Sequence, residues 1–176
     1  MNISYTLAPG RGDTDLLLAT VANALGARGL RTAGTVQINS ERQVSGPCDM
    51  DVRVLPDGPV IRISQSLGTE SRGCRLDPQA LEAAVEQVRA RLCEGADILI
   101  INKFGKHEAE GRGFRTVIAD ALAMDIPVLV GLNTLNTQAF LEFTDGLAQP
   151  LTPQADALIA WCETCAADPE LTRRAG

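Results

Sequence analysis

The sequence predicts a three-layer α/β domain: a mainly parallel sheet flanked by helices, with a β-hairpin insertion. Two continuous apolar runs, Ile98–Ile101 and Pro127–Gly131, have the composition of strands covered on both faces. Helical apolar stripes precede and separate them, and strands alternating with helices imply βαβ units. Pro56-Asp57-Gly58-Pro59 between two further apolar runs marks the hairpin. At 176 residues the chain is sized for one domain spanning 1–176, with 168–176 expected as a frayed tail.

In chain order, Asn2–Leu7 reads as a first strand, followed by the turn Ala8-Pro9-Gly10-Arg11-Gly12. From Asp13 to about Arg28, Leu17, Val21, Ala22 and Leu25 recur at helical spacing, and Gly29 stops the helix. Thr32–Ile38 is the second strand; Met50–Leu55 and Val60–Ser64 are the hairpin arms. Asp77 before Pro78 is an N-cap ahead of a proline in the first helical position. The helix it opens carries the stripe Leu81, Ala84, Val85, Val88 and Leu92 and ends at Gly95. After the Ile98–Ile101 strand, a helix from about Gly113 to Met124 buries Phe114, Val117, Ile118, Ala121 and Leu122. Beyond the strand at 127–131, Thr152-Pro153 opens a last helix reaching about Ala167.

Composition excludes several classes of function. Sixteen Lys and Arg against 22 Asp and Glu give a net charge of −6, opposite to the basic face of a nucleic-acid binder. Aromatics at 3% leave few platforms for stacking on single strands. No apolar run is long enough for a bilayer, so membrane insertion is not expected. The N-terminus lacks a signal-peptide pattern, and the five scattered cysteines then read as reduced thiols of a cytoplasmic protein. One histidine, His107, excludes sites built on two imidazoles, and no metal site is expected.

In a parallel sheet, ligands gather where strands end and helices begin. The stretch Leu7 to Thr14 has the place of a phosphate-binding loop, but Asp13 stands where that loop carries its lysine. Gly10, Gly12 and Thr14 are compatible with cradling an anion; the alternative is a glycine-rich turn in which Asp13 caps the helix. A second loop, Asn102 to Gly113, crowds Lys103, Lys106, His107, Glu108, Glu110 and Arg112 between three glycines, a pattern suited to an anionic ligand. Between the hairpin and the Asp77 helix, Arg72 and Arg75 add two guanidinium groups able to bind an oxyanion bidentately.

The strings Ser66–Pro78 and Asn102–Gly113 resemble a bacterial domain family of unknown function whose members are often labelled as molybdenum-transport ATP-binding proteins. More distantly, the layout is similar to the thermophile-type nucleoside-triphosphatases. That resemblance implies a P-loop NTPase-like fold. It sets Asn102 at the magnesium-binding aspartate, Lys103 at the catalytic glutamate, Gly105 at a signature glycine and Glu108 at a final glutamate. Charge is lost at one acidic position and reversed at the other, while the phosphate-loop lysine has become Asp13; these departures argue against magnesium-dependent hydrolysis. A direct Asp13–Lys103 pair is one expectation from the reciprocal change.

The expected function is binding of a nucleotide or other oxyanion at the mouth of the three loops, with Gly10, Gly12, Asp13, Thr14, Arg72, Arg75, Asn102, Lys106 and Arg112 around it and Lys103 and Glu108 as the candidates for chemistry. ATP or GTP with magnesium, or molybdate, are the candidate ligands. A weak nucleoside triphosphatase using Glu108 to orient water and an inactive regulatory scaffold are the alternatives; a second copy of the chain or a transport-system component is the candidate partner. Cys162 and Cys165 fall well inside the last helix, where no helix N-terminus activates a thiol, and read as packing residues. Cys74 with His107 would need the loops to converge to act as nucleophile and base, and His107 reads instead as a loop residue or ligand contact.

Overall fold

Alternation of side chains decides the layering. In the strand Ile98–Ile101 (β5) all four residues are buried, and they divide between two separate cores. Leu99 and Ile101 belong to one cluster, Ile98 and Ile100 to the other, as the two-residue period of a strand requires. The computed structural model describes residues 2–10, 12–40, 49–65 and 76–167.

Seven strands form the central sheet. They are β1 (Ile3–Thr6), β2 (Thr32–Ser40), β3 (Asp49–Val54), β4 (Val60–Arg62), β5, β6 (Val128–Gly131) and β7 (Gln149–Leu151), in the spatial order β4-β3-β2-β5-β6-β1-β7. The strands from β2 to β7 in that order run parallel, with Leu99 opposite Val128 and Ile3 opposite Val128 from the other side. The hairpin β3–β4 adds an antiparallel margin, Thr35 opposite Val54 and Val52 opposite Ile61. Both outer strands are three residues long.

Helices cover both faces. On one side α1 (Asp13–Ala27) and α6 (Ala155–Ala167) pack Leu18, Val21, Leu25, Leu158, Ile159 and Cys162 against Ile98, Ile100 and Leu129. On the other, α2 (Pro78–Cys93) and α4 (Phe114–Ala123) pack Val85, Val88, Leu92, Val117 and Ile118 against Leu99, Ile101, Val128 and Val130. The expected cap of α2 is present: Asp77 Oδ1 accepts from the backbone N–H groups of Gln79 and Ala80 at 3.0 and 3.2 Å. α1 is closed off two residues past Ala27 by Gly29, at φ +85°, while the Leu30 N–H reaches back to the Leu25 carbonyl. Gly34, the third residue of β2, has φ +118°, and a β-carbon there would overlap the carbonyl of Ile100. A side chain at 34 is thus excluded by the neighbouring strand.

Four departures from the sequence expectation have local causes. The buried stripe of α1 runs through Asp15 and Leu18, with Leu17 only half-buried, because the helix turns its first-turn carboxylate inward. α6 begins at Ala155 rather than at 152–153. Between 132 and 151, the sequence reading names no element. The chain forms a 3-10 turn (Thr134–Asn136), a two-turn helix α5 (Thr137–Phe143) and β7, each too short to carry a period. One helical turn, α3 (Lys106–Ala109), lies inside the charged loop. The expected tail at 168–176 lies outside the described residues. No described helix is long and apolar enough to cross a membrane.

Candidate functional site

Three loops leave the carboxyl ends of neighbouring strands: 7–12 after β1, 102–105 after β5 and 132–136 after β6. They enclose a polar cavity of about 300 Å³, lined among others by Gly10, Gly12, Thr14, Lys103 and Asn133. Gly12 precedes α1 at φ +86°, a left-handed conformation that glycine adopts at least cost. The loop is pinned from within, the Ala8 N–H donating to Thr14 Oγ1 at 3.0 Å. That hydroxyl keeps its own hydrogen for a ligand. Gly131, at the end of β6, lets the first turn of α1 approach. A β-carbon there would overlap the Asn102 carbonyl and stand 2.8 Å from Leu18 Cδ1.

Phe104 organises the loop after β5. Its ring is fully buried against Phe140, 5.2 Å between centroids, and its N–H donates to the Gly131 carbonyl at 3.0 Å. With Phe104 held inward, the preceding Lys103 is left exposed at the cavity mouth. Asn102 goes the other way. It is buried, its Oδ1 accepting from the Gln37 N–H at 2.9 Å and its Nδ2 donating to Asp15 Oδ1 at 2.8 Å. Its amide is therefore committed to the protein, where the sequence placed it among the anion-binding groups. The reciprocal contact between the two loops is Asn102–Asp15, not Asp13–Lys103. Asp13 instead folds back so that a β-carbon on Gly10 would collide with its carboxylate, and it makes no ion pair with Lys103.

The charged stretch after Lys103 is stitched to itself. Glu108 is buried; Oε2 accepts from the Gly105 N–H at 2.8 Å and Oε1 from the Phe114 N–H at 3.3 Å. Burial pushes its carboxyl above the ordinary value, the backbone donors only partly opposing that. Gly113, at φ +60°, makes room, since a β-carbon there would run into the same carboxylate. His107 Nε2 lies 3.0 Å from Glu82 Oε1, which also accepts the Gly113 N–H at 3.1 Å. Lys106 and Arg112 both pair with Glu110, 3.7 Å from Lys106, and the Arg112 hydrogen bond holds Glu110 below the usual carboxylate range. The Arg115 guanidinium stacks over Phe143 at 4.3 Å.

A second cavity, of about 410 Å³, opens beside the first, over β2, β3 and α3. Lys106 and Glu108 line it, and Asn102, Lys103 and Asn133 line both cavities. The sequence-predicted residues therefore separate. Gly10, Gly12, Thr14, Asn102 and Lys103 border the polar cavity; the Asp13 carboxylate lies against Gly10, and Arg112 pairs with Glu110 at the end of α3. Arg72, Arg75 and Cys74 lie outside the described residues. Asn133 and Asp15 were passed over. The strand end at Gly131 was the available signal for Asn133, by the same rule that picked out the other two loops. Burial pushes the Cys162 thiol far up, and that of Cys165 to about 11, as inert packing residues require.

The donor set departs from the magnesium site that the resemblance implies at two matched positions, while Thr14 and Asp15 also line the cavity. The position matched to the magnesium-binding aspartate is a buried amide that donates a hydrogen bond, and a cation stands at the next residue. Among the described residues, no three His, Cys, Asp or Glu side chains gather to hold a metal ion.

Known proteins resemble the chain at three levels. A family described as "Protein of unknown function (DUF2478)" matches residues 3–161. The molybdenum import ATP-binding protein ModC 2 of Bradyrhizobium diazoefficiens is 36% identical over 149 residues, 85% of this chain. The match spans only 17% of that protein. Two solved structures share the fold: THEP1 from Aquifex aeolicus (TM-score 0.64, 17% identity, 93% of this chain and 96% of that one) and a human cancer-related nucleoside triphosphatase (TM-score 0.61, 18% identity, 94% and 97%). The chain belongs to the DUF2478 family and is built on a P-loop nucleoside-triphosphatase fold.

Proposed function

We propose that the domain binds a nucleotide or another oxyanion in the polar cavity, its phosphate loop and acidic positions having diverged too far for magnesium-dependent hydrolysis. The observation that carries this reading is Lys103. It is an exposed cation held at the mouth of a glycine-lined cavity, at the amino end of α1, where backbone N–H groups and the helix dipole favour negative charge. Gly10 and Gly12 permit close approach of backbone to an anion, and the Thr14 hydroxyl supplies one donor. Lys106 and Arg112 are secondary, each sharing Glu110. Arg72 and Arg75 belong to the reading on sequence grounds alone.

Glu108 supports a positioning role better than a water-orienting one, because both its oxygens accept backbone hydrogen bonds within its own loop. The name of the ModC 2 relative supports a second element of the proposal. That name makes molybdate a candidate ligand and a transport component a candidate partner, and a cytoplasmic location goes with the reading.

Isothermal titration tests the reading, with ATP and GTP, each with and without magnesium, and with molybdate in parallel. Binding that is insensitive to magnesium and falls roughly tenfold in Lys103→Ala is expected. Magnesium-dependent phosphate release lost in Glu108→Gln would favour the triphosphatase instead. Silence with every anion would leave the scaffold.

A further inference from the structure

The larger cavity has no part in that reading. Its floor is apolar: Val52 and Ile63 from the hairpin side, Leu81 from α2 and Phe114 from α4, all buried. A volume of about 410 Å³ lies within the range of small-molecule sites. One polar group interrupts this floor. Thr35 of β2 stands opposite Ile101 on one side and Val54 on the other, both members of the core that packs on α2 and α4. Its side chain therefore shares that face, and it lines the cavity. Thr35 is 1% exposed, yet its hydroxyl makes no hydrogen bond among the described residues. A buried hydroxyl left unpaired is unfavourable, and a polar group brought in by a ligand relieves it. Charge sets the other end. Lys103 lines the cavity, is exposed and has no ion pair among the described residues, and Lys106 beside it meets Glu110 only at 3.7 Å. The one carboxylate lining the cavity, Glu108, is turned onto the N–H groups of Gly105 and Phe114 and does not oppose an anion. Thr35 is level with Ile101, two residues before Lys103, which at strand spacing is a separation of about 7 Å along the sheet.

We propose that the larger cavity is a separate site for a small hydroxylated organic acid, with its carboxylate at Lys103, a ring-sized apolar body on Val52, Ile63, Leu81 and Phe114, and its hydroxyl against Thr35. The unpaired cation and the unpaired hydroxyl match the two ends of such a molecule, and the apolar floor between them matches its body. Nothing in this depends on what the glycine loop holds. Lys103 borders both recesses, so the acid and an anion on the loop compete for one cation.

The test titrates the whole protein with 4-hydroxybenzoate, benzoate and 4-hydroxybenzyl alcohol, which keep the ring and vary one end at a time, and with inorganic tripolyphosphate. The hydroxylated acid is expected to bind tightest, with benzoate about fivefold weaker for want of the hydroxyl and the alcohol about tenfold weaker for want of the charge. Thr35→Val, close in shape, is expected to bring 4-hydroxybenzoate down to the affinity of benzoate and to leave benzoate and tripolyphosphate unchanged. Thermal melting confirms that the variant folds. Where it does not, Lys103→Ala, at an exposed position, takes its place and is expected to bring both acids down to the level of the alcohol. Absence of saturable binding by either acid, equal affinities for the three ring compounds, or a folded Thr35→Val that keeps the preference for the hydroxylated acid overturns the inference, as does Lys103→Ala with undiminished affinity for the acids. Binding of the acids without tripolyphosphate overturns the anion reading of the glycine loop and leaves this site standing; the reverse overturns this site alone.

Discussion

Asn102 Nδ2 donates a hydrogen bond to Asp15 Oδ1 at 2.8 Å, tying the end of β5 to the first turn of α1 across 87 residues of chain. Both side chains are buried beneath the glycine loop. The amide holds the carboxylate in place by donation, which a carboxylate at 102 has no hydrogen to do.

Asn102→Asp therefore sets two carboxylates against each other. A loss of roughly 3 kcal/mol at neutral pH is expected, shrinking in acid as one of the two takes up a proton. Urea denaturation of wild type and variant between pH 4 and 8 measures it. A loss that does not vary with pH would mean that charge is not the cause.

Glu108 carries a pH signature of its own. Burial raises its carboxyl above the ordinary 4.5, so the native state holds a proton more tightly than the unfolded chain. Stability is then greatest on the acid side, falls as pH rises from the ordinary value through the raised one, and levels off above it. Glu108→Gln removes this slope while losing one of two backbone acceptors, a cost of about 1 kcal/mol. The deficit of the variant against wild type is expected to narrow as pH rises. A widening deficit in chemical denaturation would show that the ionised clasp is favoured by the fold.

Gly131→Ala tests how the site is held open. The added methyl overlaps the Asn102 carbonyl and presses on Leu18 and on Thr14 Cγ2, 3.0 Å away. A destabilisation of about 2 kcal/mol, with weaker tripolyphosphate binding as the first turn of α1 is displaced, is the expected result. Unchanged binding in a destabilised variant would separate the glycine from the site.

Local patterns were readable and distant partners were not. The helix α2 was legible in full, because Asp77, Pro78 and five apolar residues at helical spacing act within one segment. The strand Ile98–Ile101 was equally plain. The placing of β1 between β6 and β7 is absent from any one run, since a strand buried on both faces has no mark for its neighbours. The loops after β1 and β5 were singled out in the sequence and both border the polar cavity, yet which side chains turn inward depended on Phe104, whose burial sends Asn102 and Lys103 in opposite directions. Likewise Glu108 looked available among its charged neighbours. Only the folded loop supplies the two N–H groups that enclose it.

The brevity of the two outer strands bears on behaviour in concentrated solution. Val60–Arg62 follows Pro59, and Gln149–Leu151 has Pro150 at its centre, opposite Tyr5. A proline offers no N–H to an incoming strand, and three residues give a foreign segment little to pair with. Both margins of the sheet thus resist edge-to-edge polymerisation. A folding unit with such guarded margins is suited to lie beside other domains without strand exchange.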